Sequence, residues 1–331
     1  RGRIMKGITK ILIVAGSLVG VGLLISIIGI LILSIKPKKA MQIKNNMEDI
    51  EYTAKHTDTL ETIIVSVAPE NIEILPYDGK DIVIQYRDDK DNSMYEIKDS
   101  KSTLKFKRND FELSVNAFSV FDITKLFSMD DIMNDEDLTV KVYIPKDKAF
   151  EYQVNTVSGK IRMQDVKAND DLIISTTSGE VEIVGVSTNE SADISTVSGD
   201  IEITDVVAGH DVNVSTTSGY VTNNNVSAND EIEIGTVSGN ITSDTLNSNT
   251  LSASTTSGEV RVNMLILEKE AEISTISGDV EIGIGESCDD YSVEISTVSG
   301  NINSEKGKDR KANKEISVST TSADVTVTFS E

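Results

Sequence analysis

The chain has 331 residues, with 31 Lys or Arg against 54 Asp or Glu, a net charge of −23, one cysteine and no tryptophan. A surface this acidic repels phosphate backbones and anionic headgroups, which excludes nucleic-acid binding. A single thiol, Cys288, excludes an intrachain disulfide and leaves the redox compartment open.

Residues 1–44 differ from the rest, carrying eight basic residues (Arg1, Arg3, Lys6, Lys10, Lys36, Lys38, Lys39 and Lys44) and no acid. Between Lys10 and Lys36 an uncharged stretch of 25 residues is long enough to cross a bilayer core of about 30 Å as a helix. The sequence therefore predicts a short tail (1–10), a transmembrane helix (11–35) and a tether (36–58). Lys36-Pro37-Lys38-Lys39 follows where a cleaved signal peptide would place small residues, so the helix is expected to stay as an anchor. Gly16 and Gly20 are spaced for close helix packing, although four glycines in one span make that pairing unremarkable. Basic residues balance on the two sides of the span. Long acidic domains cross membranes regardless of charge, so a single-pass cell-membrane protein with its C-terminal domain outside is expected.

From 59 to 157 strand-like runs lie at Thr62–Val67, Asn71–Leu75, Asp81–Gln85, Ser102–Phe106 and Leu138–Ile144, with turn signals at Ala68-Pro69 and Asp78-Gly79. They read as irregular first coils and a cap on the stack that follows. Between Asp122 and Met133, apolar residues at helical spacing predict a short amphipathic helix on that cap. Twelve of the fifteen Phe and Tyr occur at or before Tyr152. Phe106, Phe111, Phe118, Phe121 and Phe127 among them read better as cap filling than as a recognition patch.

From 158 to 331 one phrase recurs, most clearly as Ser195-Thr-Val-Ser-Gly-Asp-Ile-Glu-Ile203. Its corner dipeptides are Ser158-Gly159, Ser178-Gly179, Ser198-Gly199, Ser218-Gly219, Ser238-Gly239, Ser257-Gly258, Ser277-Gly278 and Ser299-Gly300, with Ser322-Ala323 last. Steps of 19 to 23 residues signal a stacked-repeat architecture. Around each corner apolar and polar residues alternate with strand period, and β-branched residues dominate. Glycine at the corner supplies either a positive φ or room for close backbone approach. The expectation is an all-β solenoid of about 20-residue, two-strand coils. Alternation of Val or Ile with Thr before Ser-Gly leaves a 40-residue coil open.

Chemistry-bearing residues are sparse. His56 and His210 stand in no metal-ligand spacing, and the repeated serines lack a base to activate them. Glu180 and Glu182 recur as part of the period and not as a catalytic pair. Acids follow the corner glycine at Glu180, Asp200, Glu259 and Asp279, but Lys160, Tyr220, Asn240 and Asn301 interrupt that column, so no calcium ladder is expected. Lys306, Lys308, Arg310, Lys311 and Lys314 form a basic insertion between the last two units, read as a solvated loop.

The repeating Ser-Thr-Val-Ser-Gly-Asp-Ile-Glu-Ile unit, with the Val142-Tyr-Ile-Pro145 strand and Asn71-Ile-Glu-Ile-Leu-Pro76 before it, resembles the bacterial β-strand-repeat family labelled "putative adhesin". The resemblance covers roughly residues 60–331. It implies a right-handed β-solenoid, often behind an N-terminal helix, with members linked to cell-envelope stress and no catalytic residues to carry over. The Asn109–Asp137 insertion and Ala323 depart from the pattern. Together these readings predict a non-enzymatic, membrane-anchored protein of adhesion or envelope sensing, with no cofactor or metal. Its partner would be an envelope polymer, a protein or a second copy. A self-associating scaffold is the alternative and a polysaccharide-active enzyme the third.

Overall fold

The computed structural model describes residues 46–109, 138–304 and 312–330. The predicted tail, membrane helix and Gly16/Gly20 pair lie outside these residues. So do the 122–133 helix, Phe111, Phe118, Phe121, Phe127 and the basic residues from Lys306 to Lys311. Among the described residues no helix is long and apolar enough to cross a membrane.

Among the described residues twenty-five strands run in chain order. The irregular part holds β1 (Met47–Thr53), β2 (Thr62–Ser66), β3 (Asn71–Tyr77), β4 (Val83–Asp89), β5 (Tyr95–Asp99), β6 (Thr103–Arg108) and β7 (Thr139–Pro145). The regular part follows with β8 (Glu151–Asn155), β9 (Ile161–Gln164), β10 (Lys167–Ala168), β11 (Leu172–Ser175), β12 (Val181–Val184), β13 (Ser187–Thr188), β14 (Ala192–Ser195), β15 (Ile201–Ala208), β16 (Val212–Ser215), β17 (Val221–Ala228) and β18 (Glu231–Gly235). The last are β19 (Ile241–Ser254), β20 (Val260–Ser274), β21 (Val280–Ile284), β22 (Tyr291–Ser296), β23 (Ile302–Ser304), β24 (Lys314–Ser319) and β25 (Val325–Phe329).

Parallel register settles the coil length. Leu172 pairs with Ala192, Ala192 with Val212 and Val181 with Ile201, each one 20-residue step away. One repeat is one turn of a β-solenoid, and the 40-residue coil is ruled out. The two-strand coil needs correction. The regular turns from β10 to β20 have a third short side, β10 on β13 and β13 on the end of β15, between the two longer ones. The extra bend comes from Asp165, Gly185, Asp205 and Asn225, which stack in one column with φ between 50° and 66°. Gly, Asn and Asp adopt this left-handed conformation at least cost. Every coil turns its alternate Ile, Val, Leu and Ala residues into one continuous core, where most are 0–1% exposed.

Both ends depart from simple winding. At the C-terminal end β20 pairs with β24, and β24 with β22; β21 pairs with β25, and β25 with β23. The last coil in sequence is thus wedged between its two predecessors. Ile316, Val318, Val325 and Val327 of the wedged coil are nearly fully buried, whereas the displaced coil offers Ser304 where Val327 stands. The more apolar coil takes the covered place.

At the other end β2 lies between β6 and β8, and β3 between β7 and β9, so the first coil in sequence is the second in space. The outer coil is closed by antiparallel pairing of β1 with β4, β4 with β7 and β5 with β6. Residues 47–53, expected within a tether, are therefore a strand. Antiparallel pairs need only short turns and shield an end that parallel coils would leave open.

Candidate functional surface

Each corner is built by a threonine that composition alone did not single out. Thr196, Thr216, Thr236, Thr255 and Thr275 are 1–5% exposed and donate through Oγ1 to the carbonyl of the corner glycine one coil back, at 3.1–3.4 Å. The same kind of oxygen accepts the N–H of the glycine three residues on, as from Gly219 to Thr216 at 3.1 Å. At Gly219 glycine is needed for room and not for a positive φ, since a Cβ there would stand 1.8 Å from the Gly199 carbonyl oxygen. The paired serine contributes through its backbone, Ser218 N–H donating to Val197 O at 3.0 Å, while its side chain is exposed.

In the first coil Pro69-Glu70 takes the corner. Thr156 donates to Glu70 O at 3.0 Å, and the Glu70 side chain runs into the cap, where Arg108 and Tyr95 donate to its Oε1. This carboxylate is 1% exposed. Burial, and then the charge of Glu70, push the Tyr95 hydroxyl far above its ordinary pKa. Phe106, foreseen as cap filling, stacks on Tyr95 and meets Tyr86 edge-on with centroids 4.9 Å apart.

Acidic columns turn out to have backbone duties. Asp200 accepts the Tyr220 N–H at 2.8 Å, Asn240 accepts from Glu259 at 3.0 Å, Asp279 from Asp324 at 3.0 Å, and Asp324 from Asn301 at 2.7 Å. A short side chain that accepts holds the first N–H of the next coil's strand where the corner breaks the sheet ladder. The Asn301 backbone N–H, then its side chain, hold the Asp324 carboxyl below the usual range. A second column repeats the device: Asp171 accepts from Ser191 at 3.2 Å and Asp211 from Glu231 at 3.0 Å.

Other charges are paired across coils. Lys160 reaches Glu180 at 3.2 Å and Glu182 at 2.7 Å, with Arg162 also on Glu182. Lys314, grouped by sequence with a basic loop, instead pairs with Glu286 at 2.8 Å and lies 5.5 Å from the Tyr291 ring centre. His210 continues the column of Asp170, Glu190 and Asp230, with Nε2 3.3 Å from Glu190 and Nδ1 2.9 Å from Asp230. The Asp230 hydrogen bond, then the Glu190 charge, raise its pKa. Its 20-residue offset from two acids was visible in the sequence. The His56 carbonyl accepts from the Thr59 backbone N–H at 2.9 Å and from Thr59 Oγ1 at 3.3 Å, and among the described residues no group of His, Cys, Asp or Glu is arranged to hold a metal ion.

What emerges is a surface of repeating columns, hydroxyl, carboxylate and amide, one rung apart. Residues 60–328 match the family model described as Toastrack DUF4097. Among solved structures, the chain is similar to a "putative adhesin" from Bacteroides fragilis, at 12% identity over 89% of this chain and 100% of that one, with a TM-score of 0.42. A "putative cell adhesion protein" from Clostridium sporogenes is similar at 9% identity over 86% of this chain and 100% of that one, with a TM-score of 0.23. No curated protein matches.

Proposed function

The chain belongs to the Toastrack DUF4097 family, and from that premise we propose that it is a non-enzymatic display rod, held to the cell membrane by residues 11–35 with its solenoid outside the cell. Its work is adhesion or envelope sensing. The observation that carries this reading is the columnar surface. Conspicuous acids are spent on backbone N–H groups of the next coil or on cross-coil ion pairs, as at Asp200, Asp211 and Glu182. What remains facing solvent is a regular polar array with a one-rung period, suited to a partner that also repeats, such as an envelope polymer, or to an extended protein surface. The net charge of −23 keeps such a rod hydrated and away from anionic headgroups.

Protease shaving of intact cells tests orientation and exposure together. Release of solenoid fragments is expected; complete protection of a reporter fused after Glu331 would overturn the outward orientation. A self-associating structural role rests on a different observation, the one-sided pairing of β22 and β23 at one end of the stack.

A further inference from the structure

The two ends of the solenoid are finished differently. At the N-terminal end the outer coil is covered by β1, β4 and β5, and its inward residues Leu104, Phe106, Val140 and Val142 are at most 1% exposed. At the C-terminal end the outer coil is β22 and β23, and among the described residues each pairs with a strand on one side only. There Ile302 is 51% and Val298 83% exposed, and Val293 and Ile295 are only partly buried. One coil inside, the matching Ile316, Val318 and Val325 are at most 1% exposed. An open strand edge beside uncovered aliphatic side chains is a template for another strand.

Charge selects the strand that fits. β1 carries Glu48, Asp49 and Glu51, and β5 carries Glu96, Lys98 and Asp99, charges that discourage edge pairing. The open edge carries Glu294 alone. In a chain of net charge −23 this is the edge at which two copies can meet without strong repulsion. Antiparallel self-pairing of β22 keeps inward residues opposite inward ones, and a twofold axis through Val293 sets Glu294 against Ser292 of the second copy.

We propose that two copies of this chain join through β22 and β23, end to end about a twofold axis. Because the opposite end is closed by charged antiparallel strands, the contact is isologous and yields a closed dimer, not a filament. The end coil offers only β22, β23 and the turn between them, a small surface beside a standard interface, so the dimer is concentration-dependent. This inference is independent of the adhesion reading, since a monomeric rod can also display its faces.

The test is sedimentation velocity of the full chain in density-matched detergent micelles, in a Cys288→Ser background, over a concentration series. A monomer–dimer equilibrium is expected. Val298→Lys with Ile302→Lys, both at exposed positions, should shift it at least tenfold toward monomer without moving the thermal unfolding midpoint. Ile302→Cys should be trapped as a disulfide-linked dimer by mild oxidation. A wild-type chain that stays monomeric would overturn the proposal and leave this end to a different partner. So would a dimer that survives both lysines, which would place the contact elsewhere, for example in residues 11–35, or particles larger than dimers.

Discussion

At the scale of single residues, the corner divides its labour among three side chains. Glycine provides room, threonine ties two coils together and serine offers a backbone donor and a solvated hydroxyl. Gly219→Ala sets a Cβ against a carbonyl that cannot yield without moving the preceding coil, and about 1–3 kcal/mol of destabilisation is expected. Gly235, which replaces the usual serine of the motif, has only Ser254 Oγ nearby, at 3.8 Å. Gly235→Ala should therefore be neutral or gain up to about 1 kcal/mol by restricting the unfolded chain. Denaturant unfolding of the two variants checks the contrast. Thr216→Val removes the acceptor for Gly219 N–H and the donor to Gly199 O, for an expected loss of about 1–3 kcal/mol. Ser218→Ala should stay within about 0.5 kcal/mol.

His210 gives a pH signature at the same scale. Its folded pKa lies above the unfolded value of 6.5, because Asp230 and Glu190 favour the imidazolium. The stabilisation is therefore fully present below about pH 6.5 and is lost as pH rises through the raised folded pKa. NMR titration of the ring should give a midpoint above 6.5 that falls in Asp230→Asn. An unchanged midpoint in that variant would contradict the pairing.

At the scale of elements, the informative feature is how each end of the stack is closed. β2 and β3 are covered by β6 and β7, and the corner between β2 and β3 carries a buried Glu70–Arg108 ion pair in place of Ser-Gly. Arg108→Met would leave that carboxylate buried without its cation, and about 3–5 kcal/mol of destabilisation is expected. Circular dichroism melts would show it as early loss of the cap region, and restoring charge with Arg108→Lys should recover part of the loss. The wedged coil β24–β25 follows the same logic of covering the most apolar rung. Ala323 sits at the point where the winding order breaks, and its carbonyl takes the place against Gly300 that a corner glycine has elsewhere.

At the scale of the whole molecule, stability propagates from coil to neighbouring coil, because each rung touches only the rungs on either side. Backbone exchange should therefore grade along the stack. At concentrations where the chain is monomeric, amides of β22 and β23 are expected to exchange fastest among the strands, and those of β14 to β17 slowest, by hydrogen-exchange mass spectrometry of the full chain. Uniform protection along the rod would contradict nearest-neighbour stacking. Beyond the basic first 44 residues the chain carries 23 basic and 54 acidic residues, so the solenoid face presented to any partner is strongly anionic.

Much of this was written in the sequence. The alternation around Asp193–Ile203, the 20-residue step and the lack of proline in the repeats determine parallel rungs of half-buried strand, because local pleating and identical neighbours favour one register. The corner glycines were equally legible, as was Phe106 as cap filling. The threonine ties, the Asp200 and Asp211 columns and the Glu190–His210–Asp230 contact were present as periodic positions, but only stacking brings residues 17 or 20 apart within hydrogen-bond distance. Tertiary structure alone decided the third side of each coil, the strand within 47–53 and the order of coils at both ends. The physical reason is that near-identical repeats pair almost equally well with several neighbours. Which coil lies inside is then decided by summed burial over the finished stack, a quantity that no local stretch of sequence contains.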